Sequence, residues 1–467
     1  MDEEAREISK KYTRTFCEEV NIPDITASAE FLQQNNFTTE QILSRVKCLS
    51  LSKDQLENRL NMLEEFKFTK VEILFMTQFL SLIQKTVVTM KNLKLIEENV
   101  KVADELAQRF DIPIVPPPNI KDSMSLVDVK DIMMKLYLNE RLQLNSKEVD
   151  KFILRNRSIK TTVEVIKIFK NQLEFSDKFI ANHIFLLQAN PENIKSILNE
   201  IPRIGNSTIQ DLIRKTPRIL LQKSQNLFSI IQSLEKFGIP LNDVEKYPRV
   251  LVMNHEGVYK RLVMMKDTEE FEILLNHPRA LQLLLSHTKA SERLKQLKQM
   301  KVDSASLYVM SSASAFDRFS KLGIDTTIGK DTVYYVSKAL KMEQDKVRKV
   351  LTRHPNWSHV APGTAKKCLE YLKYQKFSIE DIKENVMLLL YPVSRVTPKL
   401  NELLELRSEQ SEFAKQSDLN LSGVSDSKLL NLCLYFVESE FGFTGDGIWD
   451  SNRQEVKHDP LPATMVN

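Results

Sequence analysis

One phrase occurs three times between Ile209 and Leu297, and its spacing constrains the fold more than any other feature of the chain. Each copy has a short apolar-periodic stretch, a Pro-Arg pair and a longer apolar-periodic stretch. The pairs recur after 31 and then 30 residues, at Pro217-Arg218, Pro248-Arg249 and Pro278-Arg279. A fixed period of this size is typical of stacked repeat proteins, because one copy cannot bury its apolar face alone and neighbouring copies bury it jointly.

The first copy predicts a short helix that stops at its proline. Ile209, Leu212 and Ile213 fall on one face of a helix, and Ser207-Thr208 precede them as capping residues. Pro217 ends this helix because the residue before a proline is disfavoured in the helical region. The same proline can open the next turn, where its missing N–H group costs nothing.

A longer helix follows the connection in the same copy. Phe228, Ile231 and Leu234 have the spacing of its buried face. Gly238 stands where a glycine closes a helix in the left-handed conformation, and Gly323 closes a later copy in the same way.

Less regular copies extend the array in both directions. Phe37 and Phe68 begin matching phrases 31 residues apart, each without a proline, and the pattern returns at Phe175 with His183-Ile184 in place of Pro-Arg. A copy at 303–323 also lacks the proline, whereas Pro355 and Pro392 take the motif position in the last two copies. We therefore predict an all-α, right-handed superhelical solenoid of about eight or nine repeats of ~30–37 residues.

Composition shifts along the chain predict its domain organisation. Three consecutive prolines cannot continue a helix, so the cluster at Pro116–Pro118 predicts a stiff linker. The predicted segments are an N-terminal segment (1–35), degenerate N-terminal repeats (36–112), the proline-rich linker (113–120), the repeat array (121–407), and a C-terminal helix with an acidic tail (408–467).

Several functional classes are disfavoured by the sequence. Only 10 of 467 residues are glycine, which argues against glycine-rich phosphate loops, and none of the motifs G-x-G-x-x-G, G-x-x-x-x-G-K-S/T, H-E-x-x-H and G-x-S-x-G occurs. The four cysteines lie far apart, and His354 and His359 are poorly spaced for a shared metal on a helix, so no metal or other cofactor is expected. No apolar run is long enough to span a membrane. We therefore predict a protein that is not an enzyme.

Positive charge is concentrated on the clearest repeats. Residues 201–407 contain 34 Lys and Arg against 22 Asp and Glu, a net charge of +12, whereas the whole chain carries +4. Such a region is where a polyanion-binding surface is expected. Surplus lysine on long helices can equally serve solubility, and both interpretations stay open here.

The arginine that follows each motif proline is the leading candidate for phosphate binding. A position repeated in register lies on the same side of every copy, and the guanidinium group binds phosphate through a planar fork. The alternative is that these arginines cap helix carbonyls or pair with acidic side chains. The candidates are Arg218, Arg249 and Arg279, followed by Lys215, Lys260, Arg261, Arg293 and Arg353.

The connection and closing residues resemble the repeat of the mitochondrial transcription termination factor (mTERF) family, with a leaning towards its invertebrate members. The resemblance is strongest over 205–300 and rests on Pro217/Leu220, Pro248/Leu251, Pro278/Leu281 and the closing phrases Leu234–Gly238 and Ser320–Gly323. It implies a crescent-shaped solenoid that binds nucleic acid along a basic concave face inside mitochondria. The acidic first 22 residues do not look like a mitochondrial transit peptide.

From this resemblance and the charge pattern we expect a non-catalytic protein that binds mitochondrial double-stranded DNA and regulates transcription by termination or pausing. An alternative is binding of ribosomal or other structured RNA, with a role in ribosome assembly or translation. An alternative of another class is a helical-repeat scaffold for proteins. The expected partners are nucleic acid, the transcription machinery or another mTERF-type protein, with one chain acting as a monomer on nucleic acid.

Overall fold

The computed structural model describes residues 22–143, 155–299, 305–323, 325, 327–408, 421 and 423–439. The chain divides into two compact units. The first comprises Met1–Arg203 and Thr208–Gln225, and the second comprises Ile204–Ser207 and Asn226–Asn467. The regular secondary structure of the described residues is almost entirely helical, which confirms the all-α prediction. Their only strands are the two-residue β1 (Arg203–Ile204) and β2 (Ser207–Thr208).

The first part of the chain contains α-helices of 5 to 17 residues, together with 3-10 helices at Val46–Ser50, Ile184–Gln188 and Pro217–Leu221. The α-helices are α1 (Ile22–Gln34), α2 (Thr39–Ser44), α3 (Lys53–Glu65), α4 (Ile73–Thr77), α5 (Phe79–Ile83), α6 (Val87–Asn92), α7 (Val102–Ala107), α8 (Leu126–Leu142), α9 (Ile159–Asn171), α10 (Asp177–Asn182), α11 (Pro191–Glu200) and α12 (Ile209–Lys215).

From Ser224 onward the chain again contains short and longer α-helices, with 3-10 helices at Leu241–Glu245, Pro248–Val252, Trp357–His359 and Val386–Leu390. The α-helices are α13 (Ser224–Lys236), α14 (His255–Asp267), α15 (Glu269–Glu272), α16 (Ala280–Leu285), α17 (His287–Gln299), α18 (Leu307–Ser311), α19 (Ala313–Leu322), α20 (Ile328–Leu340), α21 (Gln344–Leu351), α22 (Pro362–Tyr374), α23 (Ile379–Glu384), α24 (Val393–Arg407) and α25 (Asp426–Ser439).

The first clear copy folds as its sequence predicts. The Thr208 hydroxyl accepts the Asp211 N–H and caps α12, which ends at Lys215, and a 3-10 helix begins at Pro217. After α13, Gly238 takes a φ of +72° and donates its N–H to the Glu235 carbonyl. This left-handed position is the reason for the glycine. Gly323 closes α19 in the same conformation, with a φ of +65°.

One predicted core position in that copy is wrong. Phe228 is 50% exposed, whereas Leu227, Ile230 and Leu234 are fully buried. The buried face of α13 therefore lies one residue earlier along the helix than the sequence interpretation placed it. Ile231 is only partly buried.

The structure also corrects the register of several copies. The 3-10 helix at Ile184–Gln188 starts where Pro217 stands in its own copy, so Ile184 and Phe185 are the equivalents of Pro-Arg. In the last copy Val386 takes this position, because Pro392 lies at the N-cap of the long helix α24. In the copy that begins at Phe68, α4 starts only at Ile73, and the Thr69 hydroxyl donates to the Lys94 carbonyl.

The proline-bearing copies use two kinds of connection. At Pro217 and Pro248 a 3-10 helix begins on the proline itself. After Pro278 and Pro355 the next helix begins two residues later, at Ala280 and Trp357.

Some predicted segments are left open by the fold. The proline-rich segment 113–120 contains no helix, but its role as a linker stays a prediction. The acidic tail beyond Ser439 lies outside the described residues.

Candidate nucleic-acid interface

The three motif arginines occupy the same local position in their copies. Arg218, Arg249 and Arg279 are all exposed, and in each copy the two residues that follow are buried. The connection thus turns its apolar pair inward and its arginine outward. Among the described residues, no acidic side chain forms a salt bridge with any of the three.

Two of these arginines lie over aromatic rings of neighbouring copies. In the first unit the Arg218 guanidinium carbon is 5.7 Å from the centre of the Phe185 ring, and Phe185 occupies the arginine position of the preceding copy. In the second unit the Arg279 guanidinium carbon is 4.9 Å from the centre of the Tyr308 ring. A guanidinium group that lies over a ring keeps its edge hydrogen-bond donors available to an oxyanion.

A largely buried histidine, His277, binds the backbone of the third motif arginine, Arg279. His277 Nδ1 accepts the backbone N–H of Arg279 at 3.1 Å, and its Nε2 faces Asp331 Oδ1 at 3.5 Å. Burial, with a smaller contribution from Arg279, lowers the pKa of His277 to about 4. Burial raises the pKa of Asp331 to about 6. At neutral pH His277 is therefore uncharged, and its single proton lies on Nε2, towards the carboxylate.

Two other candidate arginines use their side chains within the fold. Arg261 Nη1 donates to the carbonyls of Leu284 and Leu285, at the end of α16, at 3.1 and 3.3 Å. Arg293 Nη1 donates to the Met310 carbonyl, in the last turn of α18, at 2.8 Å. Both side chains start from the seventh residue of a long helix and satisfy carbonyls at the end of a short helix that follows it in the chain. Arg59 does the same in α3, where it donates to the Met76 carbonyl.

The remaining candidates are exposed at three different places. Lys215 lies in the last turn of α12, Lys260 lies on α14, and Arg353 follows α21 in a turn. Their role in binding a polyanion stays a prediction.

Sequence reasoning missed an asparagine that joins successive copies. Asn193, the third residue of α11, donates to the Gln222 carbonyl at 2.7 Å and accepts the Ser224 N–H at 3.0 Å. In the next long helix Asn226 makes the equivalent bonds, to the Met253 carbonyl and from the His255 N–H, both at 2.9 Å. The signal was present, since both asparagines are the third residue of their helix.

Other chemistry finds little support in the described part of the chain. No group of three or more His, Cys, Asp or Glu side chains there could hold a metal ion. His354 is buried and its Nε2 is 3.0 Å from the Tyr391 hydroxyl, which donates to Glu438 Oε1 at 3.1 Å. No helix within the described ranges is both long and apolar enough to cross a membrane.

These features define a class of protein, an all-helical repeat protein in which three copies carry an arginine outward at the same position. No protein-family model matches the chain. Over 435 residues the chain is 31% identical to "Transcription termination factor 5, mitochondrial" of Drosophila melanogaster. The aligned region covers 91% of this chain and 77% of the relative. The chain belongs to the mitochondrial transcription termination factor family. It is a mitochondrial protein, and the family takes its name from transcription termination.

Proposed function

We propose that the protein binds mitochondrial double-stranded DNA through its motif arginines and thereby pauses or terminates transcription. The observation that carries the proposal is the repeated outward position of Arg218, Arg249 and Arg279, which pair with no acidic side chain among the described residues. The name of the Drosophila relative supports the transcriptional part.

Phosphate binding by such arginines supplies affinity without choosing a sequence. Each neutralised phosphate releases counterions, so affinity falls with rising salt by about 0.9 log units per log unit of salt and per phosphate. Sequence choice would come from base contacts or from DNA deformation. The arginines therefore account for binding, and sequence preference is a separate question.

A salt titration tests the proposal. Binding of the full chain to a fluorescent duplex DNA, measured by anisotropy from about 50 to 300 mM salt, should show a slope that corresponds to several phosphates. Absence of binding to duplex DNA at the lowest salt contradicts the proposal. Tighter binding to a structured RNA than to DNA, at equal salt, would favour the alternative role in translation.

The triple variant Arg218→Ala, Arg249→Ala, Arg279→Ala tests the residues. Its slope should become shallower by up to about 3, because up to three phosphate contacts are lost, with no change in melting temperature. The matched control is Lys53→Ala, Lys101→Ala, Lys178→Ala, which removes the same charge from exposed positions elsewhere. Equal effects of the two triple variants would contradict a specific role of the arginines.

A further inference from the structure

The surroundings of Arg279 differ from those of the other motif arginines. Its backbone N–H is bound by His277 Nδ1, whereas no hydrogen bond joins the Arg218 or Arg249 backbone N–H to another described residue. Its guanidinium group lies over Tyr308, which is 37% exposed. Backbone and side chain of this one arginine are therefore both held.

The two supports are joined to each other through Asp331. Its Oδ2 accepts the Leu307 N–H at 2.8 Å and so fixes the start of α18, one residue before Tyr308. Its Oδ1 faces His277. The contacts thus form a closed circuit that runs from Arg279 through Tyr308 and Leu307 to Asp331, and back through His277. The Tyr334 ring packs edge-on against His277, with 4.7 Å between centroids, and closes the buried side.

A second histidine makes the same kind of hydrogen bond, in a copy that has no arginine after its proline. His354 Nδ1 accepts the Asn356 N–H at 3.1 Å, as His277 accepts that of Arg279, and each histidine stands directly before the motif proline. In that copy the residue after Pro355 is Asn356, which carries no charge. In both copies the histidine fixes the backbone of the residue that follows the proline. In the His277 copy that residue is the positively charged Arg279.

We propose that His277 and Tyr308 are positioning residues that hold Arg279 ready for a phosphate group of the bound nucleic acid. The proposal rests on the proposed function. Preorganisation reduces the side-chain entropy lost on binding, so Arg279 contributes more to affinity than Arg249, which has neither support.

A double-mutant cycle on the full chain tests this, with a 30-base-pair fluorescent duplex DNA as the probe. His277→Leu and Tyr308→Leu should each weaken binding by about threefold to fivefold, the range of an exposed cation–π contact. The conservative variants His277→Asn, which keeps an acceptor for the Arg279 N–H, and Tyr308→Phe, which keeps the ring, should stay near wild type. In an Arg279→Ala background the leucine substitutions should have no further effect.

The outcomes separate this proposal from the proposed function. If the leucine substitutions weaken binding as much in the Arg279→Ala background, they act on the fold, and the positioning role is overturned. If Arg279→Ala binds like wild type, the positioning role is also overturned, while duplex binding by the wild type leaves the proposed function standing. If the wild type binds no duplex, the proposed function fails first. His354→Leu removes the equivalent histidine from the copy that has no motif arginine. Below its melting temperature this variant should bind the duplex DNA like wild type.

Discussion

The proline-bearing copies fall into two groups, which stabilise the same repeat at different points. The groups differ in the residue that precedes the motif proline. Where Thr216 or Tyr247 precedes the proline, a 3-10 helix starts on the proline, and an asparagine of the preceding copy binds the start of the long helix. Where His277 or His354 precedes it, the histidine binds the connection itself.

The difference shows that one sequence motif can have two structural solutions. The asparagine position of α14 is Gly257, so the start of α17 in the His277 copy receives no bond of this kind. A histidine ring can replace that support because its two nitrogens face different partners. The residue before the proline, and not the Pro-Arg pair, distinguishes the two kinds of copy.

The largest contrast should come from replacing the residue before the proline. His354→Leu leaves the buried Tyr391 hydroxyl without one partner and should lower the free energy of unfolding by about 3 kcal/mol. Tyr247→Leu, at the half-buried equivalent position, should cost about 1 kcal/mol or less. Urea denaturation followed by circular dichroism measures both. Equal losses would remove the distinction between the two kinds of connection.

The asparagine bonds should matter where the histidine is absent. Asn226→Ala leaves the Met253 carbonyl and the His255 N–H without their partner, which should cost about 2 kcal/mol. Thr332→Val serves as the comparison in the His354 copy, because its one hydroxyl proton is shared between the Val360 carbonyl at 2.6 Å and the Ile328 carbonyl at 3.3 Å, and it should cost about 1 kcal/mol. If the same denaturation experiment shows that Asn226→Ala does not lower the free energy of unfolding, the asparagine bonds do not stabilise the copies.

Acid should affect the His277 copy specifically. Because the pKa of His277 is lowered to about 4, the unfolded chain binds a proton between pH 6.5 and 4 that the folded chain does not, so this residue destabilises the fold as pH falls. Asp331, with its pKa raised to about 6, acts in the opposite direction below that pH. His277→Asn should therefore gain about 2 kcal/mol of stability relative to wild type between pH 7 and 4.5. Parallel pH–stability curves would contradict this assignment.

The smallest expected effect concerns the motif amides. The Arg279 N–H, which is bound to His277, should exchange with solvent more slowly than the N–H groups of Arg218 and Arg249. Amide hydrogen exchange resolved to single residues measures this directly, and His277→Leu should bring Arg279 to the rate of the other two. Uniform rates in the wild type would show that the histidine bond is not maintained in solution.

Local signals in the sequence were sufficient for the repeat but not for its supports. The Thr208 cap, the break at Pro217 and the left-handed Gly238 each depend on residues a few positions away, and all three were predicted correctly. The partner of His277 is Asp331 and that of Asn226 is His255, so neither support follows from local spacing. Phe228 was misplaced because α13 has apolar residues on more than one face. The binding roles of the candidate arginines remain a prediction.

The asparagine bonds restrict how such an array can gain or lose copies during evolution. Asn193 and Asn226 each complete the hydrogen bonding of the copy that follows, so a copy is not a self-contained module. Removing residues 241–267 would bring Asn226 against the His277 copy, in which the histidine binds the connection and not the start of the long helix. We therefore expect copies to be gained or lost at boundaries where the asparagine of one copy still meets its hydrogen-bonding partners in the next copy.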